Sequence, residues 1–164
     1  MTLVRVNKDN LDEYEEFIKR HPKGLFQHSS KWAKVKSAWK FEAIMLKNDS
    51  GEIKGSAAVL IRSIPIIKNS LMYCCRGFVC DENDFDTFDK LLNGLIELGK
   101  EYKAYCIKID PEIVIQNEAY KKHLIESGFI ELNPGCMDFE NVQPRFVYCF
   151  DYNGMNEDEL MLTF

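Results

Sequence analysis

The chain has 164 residues, of which 46% are hydrophobic and 29% are charged. This length supports one hydrophobic core and is too short for two full-sized domains. The formal net charge of −5 argues against a general nucleic-acid-binding protein, because phosphate recognition depends on clustered Lys and Arg. No apolar run approaches the ~20 residues that span a bilayer, and the beginning of the chain lacks the features of a signal peptide. We therefore expect a cytoplasmic protein.

Six cysteines are present, and none forms a CxxC pair. Four of them, Cys74, Cys80, Cys106 and Cys149, lie in or beside apolar, strand-like runs. We interpret these as reduced thiols in the core rather than as disulfides or metal ligands. The three histidines show no spacing typical of a metal site or of nucleophilic catalysis, so no metal and no cofactor is expected.

The first half of the chain predicts two helices and then a β-hairpin. Apolar residues recur at helical spacing in Asn7–Arg20, and a shorter helix is predicted for Lys31–Trp39 after the capping residues Ser29 and Ser30. Two extended apolar runs follow, Phe41–Leu46 and Gly55–Ile64, joined by a turn-forming segment. The order so far is α-α-β-β.

The second half predicts alternating strands and helices. The predicted elements are a strand at Leu71–Tyr73, a helix at Phe85–Tyr102, a strand at Ala104–Ile109, a helix at Glu118–Ser127, and strands at Phe129–Leu132 and Arg145–Tyr152. A further helix begins after the capping residue Asn156. Antiparallel strands followed by βαβ alternation indicate an α+β fold, with a central mixed β-sheet flanked by helices.

Five segments, in the same order along the chain, resemble the Fem (FemABX) family of aminoacyltransferases that build the interpeptide bridges of peptidoglycan. They read FQHSSKWAKVKSAW at 26–39, YCCRGFV at 73–79, KIDPE at 108–112, SGF at 127–129 and QPR at 143–145. The family usually has a proline before the Arg-Gly of the second segment, where this chain has Cys75. One such segment alone is weak, but five in series make a chance similarity improbable.

The resemblance implies a fold, an activity and a domain organisation. Members of the family have two acetyltransferase-like (GNAT) domains, and they transfer amino acids from aminoacyl-tRNA to the stem peptide of a peptidoglycan precursor. The acceptor would be UDP-MurNAc-pentapeptide or lipid II. On this basis residues 1–152 form a GNAT-like domain and residues 153–164 begin a helix that leads into a missing second domain. A fragment of this kind is expected to be inactive, and its exposed face could pair into a dimer.

The resemblance also assigns candidate residues for binding the precursor. Lys36 matches a lysine that contacts the diphosphate, and an ammonium suits that role because it is a compact charge with three donors. Trp39 is either a core residue or a wall of the binding groove. Arg76 and Gly77 stand at a predicted strand end, where glycine permits close backbone approach and a guanidinium can bind phosphate or carboxylate. Each of these side chains has an ordinary structural alternative, as a solvated or packed residue.

Tyr105 and Asp110 match residues that line the acceptor site in the family. Asp110 is the candidate catalytic base, since a carboxylate there could accept the proton of the acceptor ammonium. Their spacing of five residues places them on opposite faces of a strand unless the Asp-Pro turn redirects the carboxylate. Gln143 and Arg145 flank a proline, where a structural role and a ligand contact are both open.

Two other functions are compatible with the predicted fold. An N-acetyltransferase that uses acetyl-CoA normally carries an Arg/Gln-x-x-Gly-x-Gly/Ala turn that cradles the pyrophosphate, and the sequence has no such segment. Acetyl-CoA is therefore not the expected cofactor. A binding module that holds the precursor without catalysing transfer is the other alternative.

Overall fold

A computed structural model describes residues 1–66, 68–114, 116–132 and 154–162. By its internal contacts the chain divides into two units, Met1–Ile130 and Glu131–Phe164. The first unit contains the β-sheet and most of the helices. In the second unit, the described part is one short helix.

The first unit is built on a five-stranded mixed sheet, as predicted. The strands, in chain order and also in spatial order, are β1 Thr2–Arg5, β2 Lys40–Lys47, β3 Ile53–Ile64, β4 Asn69–Cys74 and β5 Ala104–Ile109. Neighbouring strands are antiparallel except β4 and β5, which are parallel. The parallel pair needs a crossover, and a helix supplies it.

The helices are α1 Leu11–Arg20, α2 Ser30–Val35, α3 Phe85–Glu101, α4 Glu118–Glu126 and α5 Glu157–Met161, with a 3-10 turn at Phe26–His28. Helix α3 joins β4 to β5 and begins at Asp84, whose side chain accepts a hydrogen bond from the Thr87 N–H at 3.0 Å. Helix α5, in the second unit, begins at the predicted Asn156 cap, where Asn156 and Glu159 form a reciprocal capping box.

Two apolar clusters cover the two faces of the sheet. Successive side chains of a strand point to opposite faces, so Val59 of β3 lies among the residues packed against α3, while its neighbour Ala58 lies with Tyr14 and Ile18 of α1. This burial on both faces explains the unbroken apolar run at 57–61 in β3. The cluster against α3 includes Phe88, Leu91, Leu92, Leu95, Leu98 and, from α4, Tyr120.

Several predictions about local structure were wrong. Phe129–Leu132 is not a strand: the Phe129 N–H donates to the Leu124 carbonyl at 3.0 Å, which makes this segment part of the ending of α4. Helix α2 ends at Val35 rather than Trp39. Cys106 is exposed on β5, whereas Cys74, Cys75 and Cys80 are buried free thiols. The predicted strand at 145–152 and Cys149 lie outside the described residues.

The edge strand β1 was not predicted. It is four residues long and pairs antiparallel with β2, with Thr2 opposite Lys47. A run this short, with a polar or charged residue at each end, carries too little periodicity to be recognised from sequence.

Candidate active site at the ends of β4 and β5

The candidate residues of the predicted site meet where two parallel strands end. Cys74, the last residue of β4, lies opposite Ile109, the last residue of β5. Because parallel strands end at the same edge of a sheet, the loop at 75–77 and the loop that begins at Asp110 lie side by side. The sequence alone could not show this, since 34 positions separate Arg76 from Asp110.

Asp110 is held by one carboxylate oxygen, and the other makes no standard hydrogen bond to a described residue. Its Oδ1 atom accepts a hydrogen bond from the Arg76 backbone N–H at 2.7 Å. Its Oδ2 atom is buried and makes no hydrogen bond of standard geometry within the described residues, although the Tyr73 side chain lies near enough to the carboxylate to lower its pKa. Burial raises the pKa of Asp110, and the hydrogen bond from Arg76 opposes that shift only in part. The carboxyl group is thus fixed in position and is a better proton acceptor than an exposed aspartate.

The loop after β4 needs glycine at position 77. Both Arg76 and Gly77 adopt left-handed backbone conformations, with φ of 59° and 78°. A Cβ atom on residue 77 would lie 2.9 Å from the Cβ of Pro111. Glycine therefore allows the loop to rest directly on Pro111, and this contact brings the Arg76 N–H to the Asp110 carboxylate.

Tyr73 and Cys75 belong to the same site, although sequence reasoning did not select them. The Tyr73 hydroxyl is buried and has no hydrogen-bond partner in the described part of the chain. Burial raises the pKa of Tyr73, and the nearby Cys75 and Asp110 raise it further. A signal was available, because Tyr73 and Cys75 stand two residues apart at the end of a strand and so face the same side as each other.

His28 lies beneath the loop after β4. It is 1% exposed, and its Nδ1 atom accepts a hydrogen bond from the Leu25 N–H at 3.0 Å. Burial lowers the pKa of His28 to about 4, although backbone groups of Cys75 and Gly77 partly offset that effect. The Tyr14 hydroxyl donates to the His28 carbonyl at 2.6 Å. His28 is therefore neutral, and it packs beneath the loop after β4.

Lys36 is exposed and lies on the same side of the site as Cys75. Its Nζ atom stands 5.1 Å from the centre of the Trp32 ring. Its charge, like that of Arg76, acts to lower the pKa of the Cys75 thiol, although burial dominates and raises it. The lysine forms no ion pair with any described residue, so its ammonium is available to an anionic ligand.

The Arg76 side chain lines a shallow cleft beside the two loops. The cleft is also lined by Lys23, Phe78, Cys80, Glu82, Pro111, Glu112, Ile113 and Tyr120. Lys23 is neutralised there, because its Nζ atom pairs with Glu82 and donates to the Glu112 carbonyl at 2.6 Å. The guanidinium of Arg76 has no such partner among the described residues, and it is the unpaired cation of this cleft.

No described side-chain contact joins Trp39 or Tyr105 to this cluster. Trp39 carries the Arg62 guanidinium over its ring, at 5.7 Å from the centre. Tyr105 is 55% exposed and sits at a register shift, where Ser70 pairs with Ala104 and the next residue of β4, Leu71, pairs with Cys106. No described contact joins Tyr105 to Asp110. Gln143 and Arg145 lie outside the described residues.

Comparison with known proteins places the chain in a family. The sequence model of the FemAB family matches residues 10–164. The chain belongs to the FemAB family. A relative in Staphylococcus epidermidis, a lipid II:glycine glycyltransferase, is 33% identical over 157 residues, which make up 93% of this chain and 37% of that enzyme. The chain thus spans well under half of the length of that relative.

Solved structures agree with the sequence comparison. A crystal structure of FemX superposes with a TM-score of 0.69 and 31% identity, covering 78% of this chain and 32% of FemX. An aminoglycoside acetyltransferase from a soil metagenome gives a TM-score of 0.61 at 18% identity, over 80% of this chain and 94% of that protein. The predicted GNAT fold is confirmed. Among the described residues, no helix has both the length and the apolar character needed to cross a membrane.

Proposed function

We propose that the protein transfers an amino acid from aminoacyl-tRNA to an amino group on the stem peptide of a peptidoglycan precursor. The observation that carries this proposal is the Asp110 carboxylate, held through Oδ1 while its buried Oδ2 makes no standard hydrogen bond to any described residue. A buried carboxylate oxygen without a donor is costly unless a ligand supplies one. An acceptor ammonium is such a donor, and family membership supports it as the substrate group.

The proposed chemistry is aminolysis of an ester. Asp110 accepts a proton from the acceptor ammonium, and the free amine attacks the carbonyl carbon that links the amino acid to the tRNA ribose. A new C–N bond forms, the ester C–O bond breaks, and the ribose oxygen leaves with a proton. Base catalysis of this type is efficient when the pKa of the base approaches the working pH. Burial raises the pKa of Asp110 and so brings it closer to the working pH than that of an exposed aspartate.

Two cations that form no ion pair with a described residue lie near Cys75 and suit an anionic precursor. Lys36 and Arg76 both act electrostatically on Cys75, which lies next to Tyr73 and Asp110. We assign Lys36 to a phosphate of the precursor, as the family resemblance implies, and Arg76 to a phosphate or a carboxylate of the same ligand.

We also propose that this chain supplies the acceptor half of a longer enzyme. It covers 37% of the length of the Staphylococcus epidermidis relative. Transfer requires both reactants to be held in line, so a part that binds only one of them is expected to bind without turnover. The aminoacyl-tRNA would then be held mainly by the rest of the protein.

The test is a transfer assay with the full-length protein, radiolabelled aminoacyl-tRNA and lipid II, compared with acetyl-CoA as donor. We expect label to appear in the precursor from aminoacyl-tRNA and no product from acetyl-CoA. Asp110→Asn should lower the transfer rate about 10²-fold or more, while Asp12→Asn, at an exposed aspartate in the first turn of α1, should leave it unchanged. Acetylation of the precursor from acetyl-CoA, or full activity of Asp110→Asn, would contradict the proposal.

A further inference from the structure

The turn between β3 and β4 is an exposed apolar tip. Ile66 is 94% exposed, the largest exposed fraction of any large hydrophobic side chain in the described residues. Pro65 beside it is also exposed, and Ile64 is half-buried. Pro65 and Ile66 together form a small exposed apolar patch, and such patches can mark a binding surface.

The tip is surrounded by cations that the protein does not neutralise. Arg62 and Lys68 flank it in sequence and are exposed, and Lys103 lies beside it because the Ser70 N–H donates to the Lys103 carbonyl at 3.1 Å. None of the three forms an ion pair with a described residue. The segment at 62–71 contains no acidic residue, so the tip carries local positive charge although the chain as a whole has a net charge of −5.

An indole ring completes the surface. β2 begins at Lys40, opposite Ile61 near the end of β3, so Trp39 lies at the same end of the sheet as the tip. Its ring is covered by the Arg62 guanidinium, and Arg62 and Leu71 border a groove with Ser63, Ile64 and Pro65. Tryptophan, basic residues and a projecting apolar tip are the combination that proteins use at the interface between water and lipid.

The surface connects to the candidate active site along one face of the sheet. Leu71 of β4 pairs with Arg62, and Tyr73 pairs with Leu60, so alternation places Leu71 and Tyr73 on the same face as Arg62. Along β4, four residue steps of ~3.3 Å, about 13 Å in all, separate Asn69 beside the tip from Tyr73. A ligand anchored at the tip could therefore extend to Asp110.

We propose that the surface formed by Ile64, Pro65, Ile66, Arg62, Lys68, Lys103 and Trp39 docks on an anionic phospholipid bilayer. Ile66 enters the headgroup region and the three cations contact lipid phosphates. This inference deepens the proposed function. Only its consequence, that the membrane presents a lipid-linked acceptor to Asp110, rests on that function. Contact with lipid itself does not depend on that function.

The observations favour lipid over RNA as the partner. RNA is bound by cations and by stacking on exposed aromatic faces, and an isoleucine at the tip of a turn contributes to neither. At this surface the Arg62 guanidinium lies over one face of the Trp39 ring, which leaves less of the ring for base stacking. Insertion of Ile66 into a bilayer gives that side chain a favourable environment, which RNA does not offer.

The test uses the chain with vesicles that contain no precursor, so that failure of lipid binding is separate from failure of the proposed reaction. The probe is Trp39 fluorescence in a Trp32→Phe background, which leaves one of the two tryptophans of the chain as reporter. We expect a blue shift and co-sedimentation with equimolar phosphatidylglycerol and phosphatidylcholine, and at most weak binding to phosphatidylcholine alone. Circular dichroism of every variant verifies the fold.

Substitutions at the tip and matched controls decide the assignment. Ile66→Asp should lower the partition coefficient about tenfold or more. Arg62→Glu should lower it by a similar factor, because each basic residue near an anionic surface changes the partition coefficient about fivefold. Ile130→Asp, at an equally projecting isoleucine 85% exposed, and Lys54→Glu, at the opposite end of β3, should bind as the wild type does. Equal losses in the tip variants and the controls would overturn the proposal. The proposal would also be overturned if the chain did not bind vesicles. Binding of tRNA that Arg62→Glu abolishes, or a concentration-dependent dimer that Ile66→Asp dissociates, would likewise overturn it.

Discussion

The carboxylate of Asp110 accepts a hydrogen bond from the backbone N–H of Arg76, at 2.7 Å, and this bond ties the end of β5 to the loop after β4. The same bond fixes the direction of the second carboxylate oxygen, which is buried and makes no standard hydrogen bond to a described residue. The proposed catalytic role of Asp110 and the loop conformation are thus coupled in one contact. Changes to either side of the bond should have separable effects on activity and on stability.

Asp110→Asn should remove activity without weakening the fold. We expect the transfer rate of the full-length protein to fall about 10²-fold or more, because the amide cannot accept a proton. The pKa of Asp110 is raised in the folded state, so its ionisation destabilises the protein, and wild-type stability decreases as pH rises from the ordinary Asp pKa through the raised value. Thermal denaturation at neutral pH should therefore show an equal or higher midpoint for Asp110→Asn. A clearly lower midpoint would mean that the carboxylate is structural.

Gly77→Ala should destabilise the site loop more than the same change at another left-handed glycine. Residue 77 has φ of 78°, and its added Cβ would lie 2.9 Å from Pro111. Gly128→Ala is the matched control, since φ there is 88° and nothing lies within 4 Å of the added atom. We expect a cost of about 1 kcal/mol at residue 128 and about 2–3 kcal/mol at residue 77, measured by urea denaturation. Equal costs would show that the contact with Pro111 is unimportant.

Lys36→Ala should weaken binding of the nucleotide-linked precursor by about tenfold, because a charge-assisted contact to phosphate is lost. Lys34→Ala, on the same short helix and exposed, is the control and should bind normally. The comparison is made by calorimetry with UDP-MurNAc-pentapeptide and with the same ligand lacking the nucleotide. A loss that persists with the truncated ligand would place Lys36 elsewhere than at the diphosphate.

Glu42→Gln should destabilise the first unit in a pH-dependent way. Burial raises the pKa of Glu42, but hydrogen bonds from Arg5, Tyr102 and Lys40 outweigh it and lower the pKa to about 2. Because the folded-state pKa is depressed, this stabilisation is present above the ordinary Glu pKa and is lost as pH falls towards 2. We expect a loss of about 2 kcal/mol at pH 7 that narrows in acid.

Urea denaturation across that pH range measures the effect of Glu42→Gln. The control is Glu97→Gln, which removes an exposed ion pair with Lys100 and should change nothing measurable. A constant difference between the variant and the wild type at every pH would exclude the charged form of Glu42 as the stabilising species.

Most of the fold followed from the sequence because its strong elements are long or closely periodic. Helix α3 repeats apolar residues through 17 positions, and β3 is buried on both faces, so neither pattern was ambiguous. The segment at 129–132 was misread because an apolar run after a glycine suits a strand as well as a helix end. There, the hydrogen bond from Phe129 to Leu124 decided the outcome, and such a contact leaves no trace in periodicity.

The candidate site was less accessible to sequence reasoning. Lys36, Arg76 and Asp110 were selected through the family resemblance, and spacing alone did not distinguish them from exposed residues. Tyr73 was overlooked because an aromatic residue in a strand is ordinarily a core residue. Its unpartnered hydroxyl beside Asp110 depends on the pairing of β4 with β5, which is a property of the folded chain.

The most direct test of the central claim asks whether Asp110 of this chain contacts the acceptor amine of the precursor. Calorimetry would compare wild type and Asp110→Asn, each with UDP-MurNAc-pentapeptide and with the same precursor acetylated at the acceptor amine. We predict that either change alone weakens binding about tenfold and that the two together weaken it no further, since both remove one contact. Additive losses, or wild-type binding that is indifferent to acetylation, would contradict the account.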